Sequence, residues 1–468
     1  MTAGSTAAPP RRRLARLAVV LTATGLLIPL AAGTASAAGP GSWSQLGVSN
    51  SIISTPDATR VGSDLQVVWT QDEGNTAGVY ARTVNAAGGL DAGPSAVVSG
   101  WSTAVIDPQV VFDGATRTTI FSGIRSTNPG ELYNGNNLYR VTSGNGASWA
   151  LSPLQLTTGG SSAYGSYGTG AVVTPGGIVG AYTLNSDIQY SPAGTLSNGG
   201  CCAYYTSLVR DSATGAVWAT WYSNATGRTG TWAQQIEPSV GPAIFAPGSA
   251  TATGNAIAPD QAVAATSRDG GGIYIAYYVG YPSPKTIRVW RADTGAIVDV
   301  PAAGGVENVS LSHQGSRLWL SWTDDYDNVV FASRSNPEAT VFGGVASAKG
   351  PGSAGTSLWS ATSDGATGRL DVVVNATVGA VTSIYQTQLN PGLSIARPGK
   401  VKRGKTLKVK ISDAGAVIKG AKVKLGTAVK KTNKKGVAAF KISGKKGNRT
   451  IVVSYAGFTK TKVKVKVT

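Results

Sequence analysis

The 468-residue chain carries 41 Lys and Arg against 23 Asp and Glu, for a formal net charge of +18, with 62 Gly, one Met and one His. Charged residues make up only 14% of it, too few to coat long surface helices, and the Gly-rich composition is that of strands and turns. A single His excludes a histidine-based zinc site, which needs several such ligands.

The first segment has the three parts of a bacterial export signal. Arg11, Arg12, Arg13 and Arg16 form a basic region, an apolar run follows from Leu17, and Ala35-Ser36-Ala37 is a small-x-small cleavage site. Residues 1–37 are therefore expected to be a signal peptide, cleaved after Ala37. The arginine run weakly resembles a twin-arginine signal, so the general and twin-arginine export routes both stay open. No later segment is apolar for long enough to span a bilayer, so the expected mature product is secreted, with no transmembrane segment.

Charge is divided unevenly along the rest. Residues 391–468 hold 19 Lys and 3 Arg against one acid, Asp413, a net +21, whereas residues 38–390 are net −7 with only Lys285 and Lys349. Such a break predicts a domain boundary near Asn390-Pro391.

In residues 38–390 one pattern recurs: a Gly/Asp/Ser turn, then a short strand ending in a bulky residue. GSDLQVVWT ends near Trp69, DGATRTTIF at Phe121, PGGIVGAY at Tyr182 and ATGAVWATW at Trp221. GGGIYIAYY runs past Tyr277, GSRLWLSW ends at Trp322 and ATGRLDVVV at Val374. Seven modules at this spacing fit blades of four strands each. The near-continuous apolar strands fit blades buried on both faces. The reading is an all-β chain: a six- or seven-bladed β-propeller, seven favoured, followed by a small Ig-like β-sandwich. A pair of sandwiches without rotational repeat is the alternative.

The turn Ser143-Gly144-Asn145-Gly146-Ala147-Ser148-Trp149 resembles the Asp-box of sialidase-like propellers, with Asn145 where that motif has Asp. Thr266-Ser267-Arg268-Asp269-Gly270 and Thr362-Ser363-Asp364-Gly365 are partial echoes. Val217-Trp218-Ala219-Thr220-Trp221-Tyr222-Ser223-Asn224 resembles blade segments of secreted actinobacterial propellers of that class. The resemblance implies fold rather than chemistry, since the Asp-box is a peripheral turn. The six blades usual in that family differ from the seven modules here. The family's arginine cluster and Tyr–Glu pair find no matching context, so its catalytic residues are not carried over. Asp107, in Ile106-Asp107-Pro108-Gln109, and Asp260, in Pro259-Asp260-Gln261, are the catalytic candidates. They would act as a glycosidase pair if both faced the channel, or as strand-entry caps if not.

Cys201 and Cys202 are adjacent. In an exported protein they are expected to bond to each other and lock a tight turn. With Gly199-Gly200 before and Tyr204-Tyr205 after, that turn reads as a sugar-stacking platform, as a stiffened loop, or as two free thiols. His313 is read as a surface or hydrogen-bonded residue. No cofactor is expected. Asp324, Asp325 and Asp327 offer an oxygen-rich loop for Ca²⁺, or a solvated turn. The tryptophans at strand ends are expected to pack blades.

The tail alternates Val and Lys, which places valines on one face and lysines on the other. Ile418–Leu425, Thr432–Phe440 and Tyr455-Ala456-Gly457-Phe458 resemble bacterial Ig-like or prealbumin-like repeats, which implies a stalk or anchor. A net +21 over 78 residues exceeds what solubility requires and repels itself unless countered. Lys422, Lys424, Lys462, Lys464 and Lys466 are thus read as polyanion-binding, toward an anionic cell-wall polymer, acidic polysaccharide or phospholipid head groups rather than nucleic acid; a solvated face that blocks edge pairing is the alternative. The functional expectation is a lectin-like propeller for a glycan or cell-surface polysaccharide, held at the surface by the tail or serving as targeting subunit of a secreted complex. A sialidase-like glycoside hydrolase and a structural wall protein are the alternatives.

Overall fold

A computed structural model describes residues 40–51, 55–101, 105–124, 137–157, 168–184, 186–192, 194–249, 262–280, 285–324, 326–352 and 356–468. The expected signal peptide, Asp260 and Asp325 lie outside them. Among the described residues there is no helix, and none long and apolar enough to cross a membrane.

The body is a β-propeller. Its described residues form seven four-stranded antiparallel sheets, six of them built from four consecutive strands and the seventh from three consecutive strands and Ser44–Val48. Blades I to VII start with the inner strands Asp57–Val61, Ile106–Phe112, Thr169–Thr174, Ala203–Arg210, Ala264–Thr266, Glu307–Gln314 and Ser357–Ala366. Each inner strand contacts the next, and the last contacts the first, so the sheets close a ring around a channel. The closure is completed through the chain's own start: Ser44–Val48 pairs with Val381–Leu389 and supplies the outer strand of blade VII.

The repeat seen in sequence maps onto one position. Trp69, Phe121, Tyr182, Trp221, Tyr277, Trp322 and Val374 all lie on the second strand of a separate blade. Each is at most 1% exposed. These strands are flanked by a blade on either side, which is why Val67, Val68 and Trp69 are apolar and buried in succession. The tryptophans are packing residues, as expected.

Alternate inner strands share a second device. Asp107, Tyr205 and Asn308 have positive φ (48°, 59° and 47°) and sit at equivalent register breaks in blades II, IV and VI. Such a bulge redirects the strand toward its neighbour. Asp107 Oδ2 accepts from the Gly168 amide of blade III at 2.8 Å, the Tyr205 carbonyl accepts from Val263 at 2.9 Å, and Asn308 Nδ2 donates to the Leu358 carbonyl at 3.4 Å. All three staple one blade to the next. Gly168 is required there, because a Cβ on it would lie 2.5 Å from the Tyr205 Cα.

The tail is a two-sheet sandwich. One sheet holds Ser394–Ala396, Thr406–Asp413, Ala416–Val417 and Val437–Lys441. The other runs in the order Lys400–Val401, Thr461–Val467, Gly447–Ser454, Lys422–Leu425, Ala428–Lys431. Leu407, Val409 and Ile411 from the first sheet meet Val423, Ile451, Val453 and Val465 from the second in one buried core. The alternation in sequence is thus realised, with valines inward.

Candidate functional site

Three regions collect polar chemistry. The first is the turn before blade IV. Cys201 is exposed and Cys202 half-buried, with Cα atoms 3.0 Å apart and the two sulfurs against each other. The turn is clasped on both sides. Asn224 Oδ1 accepts from the Cys202 amide at 2.6 Å, and the Asn224 amide donates to the Cys202 carbonyl at 3.1 Å. Buried Asn198 accepts from Trp221 Nε1 at 2.9 Å and donates to the Gly200 carbonyl at 2.8 Å. The anchor tryptophan of blade IV therefore also positions the cysteine turn.

Tyr204 and Tyr205 are half-buried, with ring centroids 5.8 Å apart. Tyr204 pairs across the strand with Tyr222, whose buried hydroxyl has no hydrogen-bond partner among the described residues. Burial, with Tyr204 beside it, pushes the Tyr222 hydroxyl pKa up to about 12. Arg228 stacks on Trp232 at 4.2 Å and its guanidinium lies against Gly199. The structure thus gathers Cys201, Cys202, Tyr204 and Tyr205 with two residues that sequence reasoning missed, Asn224 and Arg228. Asn224 closes the quoted Trp221-Tyr222-Ser223-Asn224 stretch, which was the available signal.

The second region is the channel. A cavity of about 260 Å³ is lined by small and polar residues of the inner strands, with Asp57 and Asp364 as its carboxylates. A further cavity of about 450 Å³ opens at the end where the inner strands turn, against Arg60, His313, Asp364 and Arg369. Asp57 Oδ2 accepts from the Val110 amide at 2.8 Å. Desolvation raises its pKa to about 7, and that of Asp364 to about 6 even though Arg60 lies 3.5 Å away. Arg60 is held mainly by Asp371, at 2.6 Å, which also accepts from Arg369 and Gln386. His313 stands at the cavity mouth, open to solvent on one side; its Nδ1 is 3.2 Å from Thr266 Oγ1, and the enclosing wall lowers its pKa.

Asp107 is not among the residues lining either cavity, and its carboxylate serves the Gly168 staple. Asp260 lies outside the described residues, so the pair is not placed; among the described residues the carboxylates that line the channel cavity are Asp57 and Asp364, with Arg60 beside Asp364. In the acidic loop, buried Asp324 accepts from the Gly305 amide at 2.7 Å and the Asp327 amide at 3.2 Å, while Asp327 is exposed. Among the described residues no three His, Cys, Asp or Glu side chains converge as metal ligands. The turn at Ser143–Trp149 is closed by Asn145 Oδ1, which accepts from Ala147 at 2.9 Å and Ser148 at 2.8 Å, and Trp149 packs on the core between blades I and II.

The third region is the tail surface. All 19 tail lysines, Lys422, Lys424, Lys462, Lys464 and Lys466 included, are exposed. Among the described residues no ion pair uses any of them. The tail's single acid, Asp413, is turned inward to Arg334 at 2.7 Å and Arg317 at 3.7 Å, both on blade VI.

No family model matches the chain, and no curated protein matches it in sequence. Solved structures with a similar chain trace include a Trypanosoma rangeli sialidase, at 10% identity and TM-score 0.42 over 71% of this chain and 54% of that one. This chain therefore spans about half the length of that enzyme. The GH43 BlXynB protein of Bacillus licheniformis is similar at 11% identity and TM-score 0.35, over 90% and 89% of the two chains. A chain of a mitotic checkpoint complex is similar at 14% identity and TM-score 0.44, over 79% and 99%.

Proposed function

We propose that this is an exported attachment protein: a lectin-like propeller that presents a glycan site at the Cys201–Cys202 turn, retained on an anionic cell-surface polymer by its basic tail. The observation that carries this reading is the uncompensated lysine surface. The tail's only carboxylate is spent on docking to the propeller, so its 19 exposed lysines are left to an external counter-charge. A tethered propeller needs something to present. The cysteine turn, with Tyr204, Asn224 and Arg228 around it, combines a flat apolar face with polar groups at its rim, as sugar sites do. In this reading the cysteines form a disulfide that fixes the turn, and no cofactor takes part.

The test is a glycan array probed with mature protein and with a Tyr204→Ala variant. Binding of a defined glycan class that falls at least tenfold in the variant supports the site; undiminished binding places the ligand elsewhere.

A second reading is favoured by one observation, the two channel carboxylates with pKa values raised to about 7 and about 6 beside Arg60. A carboxyl that keeps its proton near neutrality is suited to general-acid work in glycoside hydrolysis. Hydrolysis of aryl glycosides by the mature protein, abolished by Asp57→Asn, would favour this reading over the lectin.

A further inference from the structure

The tail lysines are not spread evenly over the sandwich. On the five-stranded sheet, Val463, Val465 and Val467 point into the core, so Lys462, Lys464 and Lys466 point out. Val423 and Leu425 likewise point in, and Lys422 and Lys424 out. Between these two strands runs Gly447–Ser454, whose outward residues Asn448, Thr450, Val452 and Ser454 are all neutral. The register sets them in rows: Val452 is flanked by Lys462 on one side and Lys424 on the other, and Ser454 faces Lys422.

We propose that this face is a two-railed track for a single extended poly(polyol phosphate) chain lying along the strands. The proposal rests on the polyanion reading above and deepens it. Lysines two residues apart on a strand stand about 6.8 Å from each other, and the rails, two strands apart, lie about 9.6 Å apart. The rails overlap at the Val452 row, where Lys424 and Lys462 stand on either side; Lys422 continues one rail at Ser454, and Lys464 and Lys466 continue the other at Thr450 and Asn448, so a linear chain seated between them meets an ammonium in every row over a neutral floor.

The residue types narrow the occupant. The planar fork of Arg clasps carboxylate and phosphate alike where bidentate geometry matters, whereas Lys binds phosphate as a compact point charge, so a face of Lys alone suits an evenly charged phosphodiester chain held by charge rather than by fork geometry. The tail has 19 Lys to 3 Arg, and none of those Arg lies on either rail. The outward face of the track holds no aromatic side chain, so nothing on it stacks the bases of a single-stranded nucleic acid.

The experiment compares two full-length variants that each lose five charges. One replaces the rails (Lys422→Gln, Lys424→Gln, Lys462→Gln, Lys464→Gln, Lys466→Gln). The other replaces five exposed lysines off this face (Lys408→Gln, Lys410→Gln, Lys434→Gln, Lys435→Gln, Lys441→Gln). Affinity for poly(glycerol phosphate), polygalacturonate and single-stranded DNA of matched charge is measured from 0.05 to 0.5 M NaCl, after melting curves establish that both variants fold. The track predicts that the rail variant loses poly(glycerol phosphate) affinity about 50-fold or more at 0.1 M. Its log–log salt slope should be shallower by about 3.5, at roughly 0.7 per contact for a single chain. The control should lose about fivefold or less. Equal losses in the two variants overturn the track while leaving diffuse polyanion binding intact. Polygalacturonate or DNA bound as tightly as poly(glycerol phosphate) overturns the choice of occupant. Wild-type protein that binds none of the three overturns the polyanion reading itself.

Discussion

Arg334 donates to the carboxylate of Asp413 at 2.7 Å, joining blade VI to the tail across 79 residues of sequence. The Arg334 guanidinium lies between Trp319 of the propeller and Phe458 of the tail, 5.4 and 5.6 Å from their rings, and Arg317 approaches the same carboxylate at 3.7 Å. The tail is therefore docked, and its lysine faces are carried in a fixed orientation. Asp413→Ala leaves two guanidinium groups without their partner. Removing one member of a buried pair costs roughly 3–5 kcal/mol, and the partial exposure of Arg317 puts this site at the lower end. The variant should melt earlier and become sensitive to proteolysis near residues 389–393; an unchanged melting curve would show that the pair contributes little.

Asp57 sets a pH dependence. Its pKa is about 7 in the folded protein and near 4 unfolded, so between these values the native state holds a proton that the unfolded chain does not. Stability from this group is complete below about pH 4 and is lost as pH rises toward 7. His313 acts oppositely: its lowered pKa makes the folded protein lose stability as pH falls below 6.5. Subtracting Asp57→Asn from wild type cancels the histidine. Wild type should lose on the order of 2 kcal/mol relative to the variant between pH 5 and 8, allowing for channel water. Parallel stability–pH curves would contradict the raised pKa.

Asn198 links a packing residue to the cysteine turn. Asn198→Ala strands the buried Trp221 Nε1 donor and releases the Gly200 carbonyl, at a cost of about 1–3 kcal/mol. Thermal unfolding measures the cost. Alkylation without reduction should leave Cys201 and Cys202 unlabelled in wild type, with a monomeric mass; two labelled thiols would refute the bonded pair.

Leu46 measures the ring closure. It is fully buried among Trp69, Val373 and Ile384, on the strand by which the chain's start completes the last blade. Leu46→Ala should cost about 2–5 kcal/mol, and a value under about 1 kcal/mol would mean that the closing strand is dispensable.

The propeller was legible in sequence because each blade repeats one local pattern, and burial on both faces leaves its mark in strands such as LQVVW. The tail sandwich was legible because Lys and Val alternate strictly. What escaped was whatever ring closure or docking creates. Asp57 looks like any turn aspartate until the inner strand of blade II places the Val110 amide against it. Arg60 meets Asp371 across 311 residues. Asp107 opens an inner strand, which sequence shows, and its role as a staple follows from a positive φ that sequence does not reveal. Asp413 stood out only as the single acid among 22 basic residues, with no hint that it faced inward.

The central claim is retention of the whole protein through its lysine-rich tail. The most direct test is binding of the full mature chain to purified anionic cell walls over a salt series, beside the same walls stripped of their phosphate polymer. The account predicts strong retention at 0.05 M NaCl and a steep loss by 0.5 M, because binding releases condensed counterions and screening shortens to a few ångströms. It also predicts little retention on stripped walls at any salt. Retention that is insensitive to salt, or equal on stripped walls, would contradict it.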